Sequence, residues 1–258
     1  MKSNRSNFTL LFCLFALLSI GIGCGSSSST NNSSVNAGTS NTAANSTNVA
    51  PSAAPERQTV TNLAGEYDAT GTNPDGGSPY TASLSITPRD DVYQFSWTSG
   101  KNDYDGVGVS TDTAVAVAYT TGKNGEGCGV VLYKVNPDGS LDGKVGYWGE
   151  NKMETEKAIR KTGSDIEGDY EISGKNPDGQ EYSGNLTIKK SGLGYEFKWS
   201  APEALEGFGI RAGNLIAVGF GGKQCSFVGY DINANGTLEG QWGFKTSKSL
   251  GTEIAKKR

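Results

Sequence analysis

From about residue 63 onward, apolar and polar positions alternate with a period of two. YQFSW (93–97) and YEFKW (195–199) set a large apolar side chain at every second residue, and SLSI (83–86) and NLTI (185–188) do the same. That is the period of a strand with one face buried. No stretch sustains a helical period. The apolar runs break at NPDG (73–76, 136–139, 176–179), NANG (233–236) and KNGEG (123–127). Proline presets the first central position of a turn and glycine accepts a positive φ, so NPDG predicts a hairpin turn. The first half of this region divides into eight strands, starting near Gly65, Tyr80, Val92, Asp103, Ala114, Gly129, Gly139 and Thr155.

The second half repeats the first. GEYDATGTNPDG from Gly65 matches GDYEISGKNPDG from Gly168. Tyr80, Leu84, Ile86, Tyr93, Phe95 and Trp97 then align in order with Tyr182, Leu186, Ile188, Tyr195, Phe197 and Trp199. Further on, Cys128, Tyr133, Gly143 and Glu156 align with Cys225, Tyr230, Gly240 and Glu253. The predicted fold class is therefore all-β. Two tandem eight-stranded antiparallel meander barrels are expected, one per repeat, over 63–162 and 165–258; an open sandwich is the alternative. The alternation puts Tyr67, Leu84, Ile86, Tyr93, Phe95, Trp97, Val115, Val117 and Tyr119 inside the first barrel. Tyr170, Leu186, Ile188, Tyr195, Phe197, Trp199, Leu215 and Ala217, with Gly219 or Phe220, fall inside the second.

Residues 1–23 read as an export signal, with Lys2 and Arg5 ahead of the uncharged apolar run Phe8–Ile22. Gly23, Cys24 and a serine tract follow. Small residue, cysteine and polar tract resemble the bacterial lipobox, although Gly21 stands where that motif prefers leucine. The resemblance implies lipidation of Cys24 by diacylglycerol; an ordinary cleavable signal is the other reading. Residues 24–62 read as a lipidated cysteine followed by a disordered Ser/Asn/Thr-rich linker, since so few apolar side chains cannot offset the entropy of ordering.

Composition narrows the chemistry. There is no histidine among 258 residues, which removes imidazole bases and histidine metal ligands. Without Lys2 and Arg5, 21 basic residues face 27 acidic ones. An acidic chain repels phosphate backbones, so no nucleic acid is expected, and membrane contact has to come from the lipid anchor. No metal site and no cofactor are expected. Cys128 and Cys225, one per repeat in an exported chain, invite an inter-repeat disulfide; the alternative is two buried small side chains. Such equivalent residues can meet only near a pseudo-twofold axis. Tyr67, Tyr93, Phe95 and Trp97, with Tyr170, Tyr195, Phe197 and Trp199, are either core or the lining of a ligand cup. Glu156 and Glu253 share one repeat position, as do Asp68 and Glu171, and solvated strand faces account for both pairs.

The pattern G-x-Y…G-x-NPDG-x-x-Y…L-x-I…Y-x-F-x-W…G-x-L-x-G…T-E resembles small secreted bacterial proteins labelled fibronectin-binding or surface proteins. A looser likeness is to avidin and lipocalin barrels. The lipobox resemblance at Cys24 implies a lipoprotein of the bacterial cell envelope, on the surface or periplasmic face of the outer membrane. A non-enzymatic binding module, for a matrix or other macromolecular partner, is expected because the chain has no histidine and the two copies keep their aromatic and turn residues while their charged residues differ. The alternative expectation is a carrier of a small apolar ligand inside the barrels, and a filled or open barrel interior discriminates between the two.

Overall fold

The computed structural model describes residues 62–201, 203–222 and 225–258. The export signal, Cys24 and the linker up to residue 61 lie outside them. In the first repeat the strands are β1 (Gly65–Thr72), β2 (Pro79–Arg89), β3 (Val92–Ser99), β4 (Asn102–Ser110), β5 (Ala114–Thr121), β6 (Cys128–Val135), β7 (Leu141–Tyr147) and β8 (Glu154–Arg160). The second repeat supplies β9 (Gly168–Lys175), β10 (Glu181–Ser191), β11 (Gly194–Ala201), β12 (Leu205–Ala212), β13 (Leu215–Gly221), β14 (Ser226–Ile232), β15 (Leu238–Gly243) and β16 (Gly251–Lys257). These sixteen strands form two closed eight-stranded antiparallel barrels, so the all-β barrel class holds.

The assignment of one barrel to each repeat does not hold. One barrel runs β1-β16-β15-β14-β5-β4-β3-β2 and the other β10-β11-β12-β13-β6-β7-β8-β9. The domains over 63–162 and 165–258 are thus replaced by a split barrel of β1–β5 with β14–β16, and an inserted barrel of the unbroken run β6–β13. The two repeats have exchanged their last three strands. The physical reason is degeneracy. β5 accepts β14, with Val228 opposite Val117 and Tyr230 opposite Val115; β13 accepts β6 in the same register, with Val131 opposite Val218 and Tyr133 opposite Ile216. Pairing energy hardly distinguishes the two closures, which is the condition under which identical elements exchange.

Apolar side chains pack on the inner faces of both barrels. Tyr67, Leu84, Ile86, Phe95, Trp97, Val115 and Val117 are buried together in the split barrel, and Tyr93 is half-buried against them. Tyr170, Leu186, Ile188, Phe197 and Trp199 are buried in the inserted barrel, with Tyr195 half-buried. In β13 the inward face carries Ile216, Val218 and Phe220. Leu215 and Ala217, expected inside, lie instead against the other barrel. This strand is buried on both faces, so alternation could not fix its phase. Tyr67 and Tyr170 each donate a hydroxyl proton back to the carbonyl four residues earlier, Leu63 and Ile166, at 2.8 Å.

The barrels pack through the outer faces of the strands around the exchange. Val92, Val107, Val109, Ala116 and Ala118 meet Val130, Leu132 and Ala217. Phe208 packs on Phe227 with ring centroids 5.9 Å apart. Cys128, at the start of β6, and Cys225, just before β14, are joined by a disulfide with Cα atoms 5.7 Å apart. The bond therefore ties together the two segments of chain that enter and leave the inserted barrel. Beside it, Trp148 Nε1 donates to Asp105 Oδ2 at 3.0 Å, and Gln94 and Ser96 complete the shell of this buried carboxylate. The repeat-equivalent positions hold Glu206 and Lys245, an exposed ion pair at 3.7 Å.

Candidate ligand-binding site

The exchange assembles one polar row inside each barrel. In the split barrel, Tyr80 on β2 stands opposite Gly71 on β1, and Gly71 opposite Glu253 on β16. Glu253 in turn stands opposite Gly240 on β15, and Gly240 opposite Tyr230 on β14. The inserted barrel repeats this row as Tyr182, Gly174, Glu156, Gly143 and Tyr133. The glycines are what allow the tyrosine rings to lie flat on the barrel wall. A Cβ on Gly71 would stand 2.6 Å from the Tyr80 hydroxyl oxygen, and one on Gly240 would stand 2.4 Å from Tyr230 Cδ1. Glycine in a strand marks such a close approach.

With the rings in place, their hydroxyls reach the carboxylate. Tyr80 donates to Glu253 Oε2 at 2.7 Å, Trp97 Nε1 donates to Oε1 at 3.0 Å, and Tyr230 donates to the same Oε1. Glu156 receives the matching set. Tyr133 donates to Oε1, Trp199 Nε1 donates there at 3.3 Å, and Tyr182 donates to Oε2 at 3.4 Å. Both carboxylates are buried, which overturns the reading of this position as a solvated strand face. Hydrogen bonds from neutral donors are what make such burial tolerable. Burial pushes the Glu156 carboxyl above the usual carboxylate range, against the opposing pull of its hydroxyl and indole donors. Burial, then the nearby carboxylates, hold the hydroxyls of Tyr80, Tyr133, Tyr182 and Tyr230 well above the normal tyrosine range. Asp68 and Glu171, by contrast, do lie on the outside, paired with Arg258 at 2.7 Å and Lys161 at 2.5 Å.

Above the row the two barrels differ. The split barrel opens into a cavity of about 190 Å³, with Glu253, Tyr80, Tyr230 and Val228 in its wall. Trp97, Tyr104, Tyr119 and Trp242 surround it, and Asn73, Ser99 and Asn102 also line it. Tyr119 holds the aromatic wall together, with its ring centroid 5.3 Å from that of Trp97, 6.2 Å from Tyr104 and 6.3 Å from Trp242. Trp242 Nε1 is buried and makes no hydrogen bond. The rim is tied to the loop between β15 and β16 by Asp75, whose Oδ1 accepts the backbone N–H of Lys248 at 2.5 Å and of Ser249 at 2.8 Å. At the positions of Tyr104, Tyr119 and Trp242 the inserted barrel carries Leu205, Phe220 and Val145, all packed into its core.

Of the aromatic residues expected to be either core or lining, Trp97 alone borders this cavity; Tyr67 and Phe95 are core beneath it. The sequence reading missed Tyr80, Tyr104, Tyr119, Tyr230, Trp242 and Glu253 as one group, because three of them come from the far repeat. The available signal was the matched Gly-Tyr-Glu positions of the repeats, which a carboxylate on a solvated face would not require. Among the described residues no cluster of three or more potential metal-ligating side chains occurs. No protein-family model matches the chain, and neither the curated proteins nor the solved structures yield a match.

Proposed function

We propose that this is a non-enzymatic binding protein of the bacterial envelope, anchored through Cys24, whose split barrel holds a small ligand at its open end. The observation that carries the reading is the aromatic cavity of about 190 Å³, built from both repeats around the buried Glu253. Eight-stranded barrels either fill with side chains or retain room for one small ligand. Glu253 is held in place by the neutral donors Tyr80, Trp97 and Tyr230, an arrangement that suits holding a ligand. A matrix partner gripped alike by both barrel ends has less support, because the two ends carry different residues.

Native mass spectrometry of the protein isolated from its own envelope tests the ligand reading. One small molecule per chain, lost on replacing Trp242 by Val, is expected. A ligand retained at full occupancy by that variant would contradict the site. For the anchor, Cys24→Ala should move the protein from the membrane to the soluble fraction, and unchanged membrane retention would contradict it.

A further inference from the structure

The chemistry of the split-barrel cavity points to one class of ligand, an inference that rests on the binding reading above. Glu253 is 5% exposed, and its three hydrogen-bond donors, Tyr80, Trp97 and Tyr230, are all neutral. Among the described residues no lysine or arginine forms an ion pair with it; every salt bridge involves other carboxylates. A carboxylate has about four acceptor sites, and three are used, so one is left for a ligand. Around it stand aromatic rings whose faces are electron-rich. A carboxylate bordered by aromatic rings, with no lysine or arginine paired to it among the described residues, favours a cation over an anion.

The inserted barrel sharpens the argument. It keeps the tyrosine–glycine–glutamate row, so the row by itself is a structural device of both barrels. What only the split barrel adds is Tyr104, Tyr119 and Trp242, in place of Leu205, Phe220 and Val145. Two of these differences, Tyr104 for Leu205 and Trp242 for Val145, set an aromatic ring where the inserted barrel has an aliphatic side chain, and the third, Tyr119 for Phe220, adds a hydroxyl to a ring that both barrels keep above the buried carboxyl group. We propose that this cavity binds a small organic cation, a primary or methylated ammonium group, with Glu253 as its counter-ion. The space of about 190 Å³ suits an ammonium head with a short chain.

The test is a calorimetric titration of the purified protein with choline and with its neutral isostere 3,3-dimethylbutan-1-ol. Choline should bind one per chain and at least about tenfold more tightly than the isostere, as cation–π attraction in a desolvated site implies. Glu253→Gln should abolish that preference, while Glu156→Gln in the other barrel should leave it intact. Should Glu253→Gln fail to fold, Tyr104→Leu and Trp242→Val, which borrow the inserted barrel's residues, should each weaken choline binding at least about tenfold with circular dichroism unchanged. Equal affinity for both probes, or binding of the isostere alone, would overturn the cation assignment and leave the cavity as a site for neutral ligands. Binding of neither would overturn it too, and the envelope-ligand experiment above would then decide on the cavity separately.

Discussion

The residue scale carries the least expected feature, a pair of buried carboxylates. Glu156 and Glu253 were misread because of what flanks them. In TEKAI and TEIAK the inward positions are Glu and Ala, while the outward ones include Ile159 and Ile254, which are 47% and 40% exposed. The apolar pattern is inverted in these two strands, so alternation points the carboxylates outward. Titration should expose the placement of Glu156. A carboxyl held above its ordinary pKa keeps its proton in the folded state after the unfolded state has lost it. Stability is therefore full below the ordinary carboxylate range, falls as pH rises through it, and levels once Glu156 itself ionises. Denaturant midpoints from pH 4 to 8 should show this fall as the difference between the parent and Glu156→Gln, and parallel curves would contradict it. The tyrosines act at the other end. Tyr80, Tyr119, Tyr133, Tyr182 and Tyr230 are all held high, chiefly by burial. The unfolded chain ionises near pH 10 and the folded chain does not, so stability is lost above about pH 10. Tyrosinate absorbance should appear together with loss of the β-sheet signal in alkali, whereas free titration of these groups in the folded protein would contradict their burial.

Elements were the most legible scale. The predicted strand starts fall within about two residues of the observed ones, because alternation and turn chemistry are local. Asn136, Asn176 and Asn233 each close their turn by accepting the N–H of the glycine three residues on, at 2.9, 2.9 and 2.8 Å. β13 escaped the pattern because both its faces are apolar, one for the barrel interior and one for the neighbouring barrel. Glycines inside strands carried a signal that local rules do not read, since their reason lies one strand away. Gly71→Ala should push Tyr80 off Glu253 and destabilise by about 1–3 kcal/mol, the usual cost of overpacking. Gly222→Ala, where an added Cβ meets no atom of the described residues within 4 Å, should stay within about 0.5 kcal/mol of the parent. Equal effects in chemical denaturation would contradict the close-packed row.

At the scale of the whole molecule, the sequence announces the duplication and conceals the exchange. Each terminal three-strand unit suits either barrel, because Val131 and Tyr133 offer the same inner face as Val228 and Tyr230. The composite site was hidden for the same reason: Trp97 and Glu253 are 156 residues apart and meet only when β16 crosses to the first repeat. The disulfide tethers this arrangement across 97 residues. Replacing Cys128 and Cys225 together by Ser should lower stability by about 2–5 kcal/mol, as loss of a long-loop cross-link does, measured by denaturant unfolding. No change would mean that the crossing segments need no clamp.

The most direct test of the exchanged architecture is a pair of double-mutant cycles on folding stability. Hydrogen bonds to a buried charge couple their partners, whereas distant sites add. Trp97→Phe combined with Glu253→Gln should depart from additivity by about 1 kcal/mol or more, and Trp97→Phe with Glu156→Gln should be additive within about 0.5 kcal/mol. Coupling of Trp97 to Glu156 and not to Glu253 would mean that each repeat closes its own barrel, and would contradict the account.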